Sequence, residues 1–152
     1  MSLDVYLYTE HPVAPLPPLG SGIFIREDGE QKEISREEWD RRYPDRDPVL
    51  CTQDRESNEL YHRNITHNLG SMAKAAGLYV VIWHPDVSGI KTAGQLAHSL
   101  DIGLEALISN PEYFSTFNPE NRWGDYLGLV RFVTDYRNAC IRYHDARVEV
   151  SR

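Results

Sequence analysis

The chain has 152 residues, 41% hydrophobic and 26% charged, a length and composition that suit one globular domain and exclude a disordered or fibrous polymer. Its formal net charge of −7 repels a phosphate backbone, which argues against long nucleic acid as a partner and leaves room for a compact anion in a locally positive pocket. The longest apolar stretch, Leu78 to Trp83, is far shorter than the roughly 20 residues of a membrane helix, and Met1-Ser2-Leu3-Asp4-Val5 has no basic region leading into an apolar one, so a cytoplasmic protein with no membrane partner is expected.

The first element expected is a half-buried strand, because Leu3-Asp4-Val5-Tyr6-Leu7-Tyr8 alternates. His11 to Gly20 holds four prolines and reads as an extended loop. Gly22 to Arg26 and Gln31 to Ile34 flank Asp28-Gly29, a dipeptide suited to the positive φ angles of a tight hairpin. Ser35 stands three residues before Glu38 as a capping box, predicting a short helix through Trp39 and Tyr43 that Pro44 ends. The charged stretch from Pro44 to Pro48 reads as a solvated loop. Glu59 to Arg63 alternates briefly, and Ile65, Leu69, Met72 and Ala76 then recur at helical spacing up to Gly77, so a strand should run directly into a helix.

Farther along, Thr92 and Gln95 form a second capping box ahead of the stripe Leu96, Leu100, Leu104 and Leu107, a helix closed by Pro111. Asp125 should cap a last long helix whose buried stripe is Leu129, Phe132, Val133, Tyr136, Cys140 and Tyr143. Arg147-Val148-Glu149-Val150 alternates as a strand. Strands at both ends with helices between them predict an α+β fold: a small antiparallel sheet including the N- and C-terminal strands, with three main helices packed on one face. Residues 1 to 152 read as a single domain, embellished at about 11 to 57 by the Pro-rich loop, hairpin and short helix.

The most pointed polar segment is Asn64-Ile65-Thr66-His67-Asn68-Leu69-Gly70, where the strand should meet the helix. With Asn64 as N-cap, the free N–H groups of the first turn would lie beside Thr66, His67 and Asn68 and favour an anion, above all a phosphate. The plainer alternative is that Asn64 caps, Thr66 and Asn68 bond local backbone, and His67 is simply exposed. Asn121-Arg122-Trp123-Gly124-Asp125-Tyr126 precedes the last helix, and its aromatic faces beside Arg122 suit a nucleobase with its phosphate. Against this, a tryptophan at an element boundary usually buries its ring and finds a partner for its N–H.

No metal is expected. The six histidines form no His-Glu-x-x-His pair, and Cys51 and Cys140 share no metal-type spacing, so two reduced structural thiols are the reading. Asn64-Ile65-Thr66 is a glycosylation sequon only formally. Hydrolase, P-loop and dinucleotide fingerprints are absent, and no cofactor is implied.

In Met1 to Leu7, Asn64 to Gly70 with Met72 and Ala73, Trp123-Gly124-Asp125-Tyr126 and Val148 to Arg152, the chain resembles a family of uncharacterised small phage and prophage proteins. The resemblance covers roughly residues 1 to 8 and 58 to 152. It departs at His84, where the family often has arginine, at Arg122, where it often has glycine, and at residues 11 to 57, which are not general. Small phage proteins include counter-defence proteins that sequester the nucleotide signals of bacterial immunity, often at an oligomer interface. By this analogy the chain is expected to be a non-enzymatic sponge that can assemble as a homo-oligomer, in the host cytoplasm, with Asn64, Thr66, His67 and Asn68 on the anion and Trp123 and Tyr126 near the base. Two alternatives stand beside it: a phosphodiesterase-like enzyme using His67 as general acid or base with Asp125 or another carboxylate nearby, and an acidic protein-binding inhibitor of a host defence enzyme.

Overall fold

The alternation of Leu3, Val5 and Leu7 with Asp4, Tyr6 and Tyr8 does build a strand, and in the computed structural model, which describes residues 2–11, 20–50 and 58–152, that strand is the middle of a sheet. In chain order, β1 spans Ser2–Tyr8, β2 Phe24–Glu27, β3 Glu30–Glu33, α1 Arg36–Arg42, β4 Glu59–Thr66, α2 Gly70–Ala75, α3 Tyr79–Trp83, α4 Ala93–Ser109, α5 Pro111–Ser115, α6 Tyr126–Arg142 and β5 Arg147–Ser151. A 3-10 turn, His67–Leu69, links β4 to α2. The chain divides into two compact units, residues 1–12 with 58–152, and residues 13–57.

In the first unit the sheet order is β4-β1-β5, antiparallel throughout, with Asp4 opposite both Asn64 and Ser151. Both terminal strands therefore share one sheet, as expected. Period-two alternation sends Leu3, Val5, Leu7, Ile65 and Val148 into the core and leaves Asp4, Asn64, His62 and Glu149 on the other face. The stripes of α4 and α6 meet that core: Leu96, Leu100 and Leu107, and Leu129, Val133 and Tyr136, are fully buried. Each such aliphatic side chain contributes about 1.5–3 kcal/mol of transfer free energy. Gln95 Oε1 accepts from the backbone N–H of Thr92 at 3.2 Å, and Asp125 accepts from Gly128 at 2.6 Å, so both predicted caps are present. Pro111 opens α5 after α4 has stopped at Ser109.

One expectation needs correction. The helix predicted from Ile65 onward starts later and is short, because Ile65 faces the core from β4, and only the 3-10 turn and the six residues of α2 follow before Gly77 turns at φ +73°. The apolar run Leu78 to Trp83 is largely the single-turn helix α3, buried at Leu78, Ile82 and Trp83. Of the three main helices, two reach 17 residues, and four shorter ones accompany them among the described residues. Where β1 and β4 end, the Thr9 N–H donates to the Asn58 carbonyl at 2.8 Å.

In the second unit β2 and β3 pair across Asp28-Gly29, whose φ values of +53° and +80° are those the hairpin dipeptide was expected to supply. Ser35 caps α1 by accepting from the Glu38 N–H at 3.1 Å. Trp39 packs on Ile23, Ile25 and Ile34, and donates its indole N–H to the Arg46 carbonyl at 2.8 Å. Most of the Pro-rich stretch, and Cys51, lie outside the described residues. Cys140 is a free, buried thiol.

Candidate ligand-binding site

Strand pairing decides what Asn64 does. Its position opposite Asp4 on the outer face of the sheet lets its amide donate to Asp4 Oδ1 at 2.9 Å, beside a 3.0 Å contact from His62 Nε2. The hydrogen bond from Asn64, then that from His62, hold the Asp4 carboxyl below its ordinary range. Asn64 is therefore not the N-cap that the sequence suggested. Thr66 takes that place, its hydroxyl accepting from the Asn68 N–H at 3.3 Å. The turn it caps is only three residues long and α2 only six, so the helix-dipole argument for an anion here loses its basis.

His67 is fixed from behind. The indole N–H of buried Trp83 donates to His67 Nδ1 at 2.9 Å, and Tyr79 stacks on Trp83 at 5.2 Å between centroids. An accepting Nδ1 puts the proton of the neutral ring on Nε2, and that nitrogen is buried without a hydrogen-bond partner. His67 is thus neither simply exposed nor a ready base, because its one lone pair is committed to Trp83. Asn68 is exposed.

The second polar block is carried to the first by its glycine. Gly124 has φ +98°, and a Cβ built on it would stand 2.9 Å from Leu69 Cγ and 3.0 Å from Thr66 Cγ2. The backbone of the 121–125 loop therefore rests on the 66–69 turn at a distance only glycine permits. Side chains pin this loop along its length: Asn121 Oδ1 accepts from Trp123 N at 3.0 Å, Asn118 Oδ1 from Tyr126 N at 2.7 Å, and Asp125 is committed to the helix cap. Arg122 adopts φ +58°, a conformation glycine takes without strain, and has no ion-pair partner among the described residues.

The expectation that Trp123 buries its ring at the element boundary does not hold, since it is 70% exposed. Tyr126 behaves the other way. Its ring packs against the core and its hydroxyl donates to the Leu107 carbonyl at 2.8 Å, so it anchors the start of α6 to the end of α4. Of the six candidate residues, the fold brings Thr66, His67, Asn68 and Trp123 into one neighbourhood, assigns Asn64 to the sheet face and Tyr126 to packing. Asp4 was not anticipated, nor were the parts played by Trp83, which ends the apolar run, or by Asn118 and Asn121, the latter already within the Asn121 to Tyr126 block. Only the last pair left a local signal, as turn-forming asparagines around Pro119.

Among the described residues no group of three or more His, Cys, Asp or Glu side chains is placed to hold a metal, and no helix is long and apolar enough to cross a membrane. No protein-family model, curated protein or solved structure matches the chain.

Proposed function

We propose that this protein binds and holds a small anionic, nucleotide-derived ligand without turning it over, at the surface formed by the 66–68 turn and the 121–124 loop. The observation that carries the reading is Trp123: a large indole kept in water on a loop whose backbone is pinned by Asn118, Asn121 and Gly124. An exposed aromatic face on a pinned backbone is what base stacking uses. Arg122, adjacent and unpaired among the described residues, supplies the positive charge for a phosphate. Asn68 and Thr66 add polar groups on the facing turn. Retention is favoured over cleavage because the two residues named for acid–base work are engaged, His67 Nδ1 by Trp83 and Asp125 by the α6 cap. Given the resemblance to phage proteins, the role that follows is sequestration of a bacterial immune signal in the host cytoplasm, as a homo-oligomer.

The test is to incubate the protein with a panel of cyclic and linear immune nucleotides, remove free ligand, heat, and identify what is released. Intact nucleotide supports a sponge, an altered nucleotide supports the phosphodiesterase reading, and no depletion of any member sinks both. Trp123→Ala should abolish retention while leaving the melting temperature within about 2 °C, because an exposed ring contributes little to the core.

A further inference from the structure

A second site lies away from the Trp123 loop, along the outer edge of β5. Residues Lys91 to Ala93 already dock there as a short extended lane: Val148 N–H donates to the Lys91 carbonyl at 3.0 Å and Ala93 N–H to the Ala146 carbonyl at 2.8 Å. Beyond Lys91 the lane is abandoned. The Lys91 N–H turns to Gln95 Oε1 at 2.9 Å and the Ile90 N–H turns back to the Pro85 carbonyl at 3.0 Å, so the chain peels away from β5. Since Val148 N–H points outward, alternation along β5 sends the Val148 carbonyl and both backbone groups of Val150 outward too. They face an open cleft of about 680 Å³ lined by Pro85, Asp86, Ile90, Lys91, Val148 and Val150 among others.

We infer that this cleft takes an extended peptide as an added antiparallel strand, ending with its C-terminal carboxylate beside Lys91. The mode is one the chain itself displays a register step away, where Lys91 to Ala93 bond to the same edge. Val150 N–H donates to the guest, and the Val150 carbonyl accepts from it. An antiparallel guest in that lane runs toward Lys91 and must stop there, because the chain of Lys91 itself occupies the next position. The guest's terminus is then fixed by charge. Arg147 lies 2.8 Å from Glu149, Arg152 lies 3.7 Å from Asp86 and His144 lies 3.3 Å from Asp145, whereas Lys91 has no ion-pair partner among the described residues. A carboxylate end answers that ammonium, while a parallel guest would bring its amino terminus to it.

The probe is a displayed library of random heptapeptides with free C-termini, selected on the intact protein, followed by polarisation measurements on the strongest peptide and on its C-terminal amide. The expected result is enrichment, at least tenfold weaker binding of the amide and of Lys91→Gln, and loss of binding by Val150→Pro, which removes an outward N–H that the sheet does not use. Should Val150→Pro fail to fold, hydrogen exchange reads the same bond in the parent: the Val150 N–H exchanges freely and becomes protected on peptide addition. No enrichment, equal binding of acid and amide, or a Val150 N–H that stays unprotected in the complex would overturn the inference.

Discussion

Replacing Gly124 by alanine tests whether the 121–125 loop is held on the 66–69 turn. Two costs add. At φ +98° an L side chain is strained by about 1–2 kcal/mol, and the new methyl meets Leu69 Cγ at 2.9 Å, Thr66 Cγ2 at 3.0 Å and Leu69 Cδ1 at 3.1 Å, an overpacking that costs about 1–3 kcal/mol. A loss near 3 kcal/mol corresponds to roughly 6–12 °C in melting temperature for a chain of this size. Leu69→Ala separates the two costs, because it removes two of the three crowding atoms and leaves the backbone strain. In that background the same glycine substitution should cost only about 1–2 kcal/mol, a coupling that denaturant titration of the four proteins in a double-mutant cycle would resolve. An effect of Gly124→Ala below about 0.5 kcal/mol, or one unchanged by Leu69→Ala, refutes the packing argument and with it the claim that the two polar blocks form one surface.

Other outcomes follow from the same geometry. Trp83→Phe should lower stability by about 2–4 kcal/mol, combining the lost donor to His67 with the smaller ring, in the same titration. Asn64→Ala should raise the Asp4 titration, followed by NMR, toward its ordinary value and modestly lower stability at neutral pH. Because the folded carboxyl titrates low, its contribution is present above the ordinary range near pH 4 and is lost as pH falls through the folded value; the variant should therefore show a shallower loss of stability on acidification. Burial pushes the Cys140 thiol up to about 12, so iodoacetamide at pH 8 should leave the Cys140 peptide unmodified by mass spectrometry until denaturant is added.

Elements whose signal is local were legible in the sequence. Strand alternation at residues 3–8 and 147–150, the Asp28-Gly29 turn, the Thr92 and Asp125 caps and the stripes of α4 and α6 each depend on neighbours within one or two turns, and the structure keeps them all. Misjudgement began where the decisive partner is distant in the chain. Asn64 looks like a cap from its spacing, but its position is set by pairing with Asp4, which extends β4 through Thr66. Ile65 fits a helical stripe by chance, because a buried position in a strand and one in a helix carry the same residue types. At five residues, α3 is too short to display a period. The site was half legible: its polar blocks stand out as strings of residues, but that Trp123 is exposed, Tyr126 packed and His67 tied to Trp83 depends on contacts no local pattern encodes.

The hydrogen bond from Thr9 N–H to the Asn58 carbonyl closes the end of the β1–β4 pair. Topologically, everything between those two residues is an insertion into the tip of a hairpin, the position where added chain disturbs a host least. The 13–57 unit is then an exchangeable cassette: its sequence can lengthen, shrink or be replaced without altering the register of Asp4 with Asn64 or of Tyr6 with His62. A chain in which residues 10 to 57 give way to a two-residue Asn-Gly turn should keep the β4-β1-β5 sheet and its helices, visible as an unchanged dispersed spectrum for the Leu3, Val5 and Leu7 methyls. A variant that unfolds instead would mean that the insertion has become part of what holds its host together.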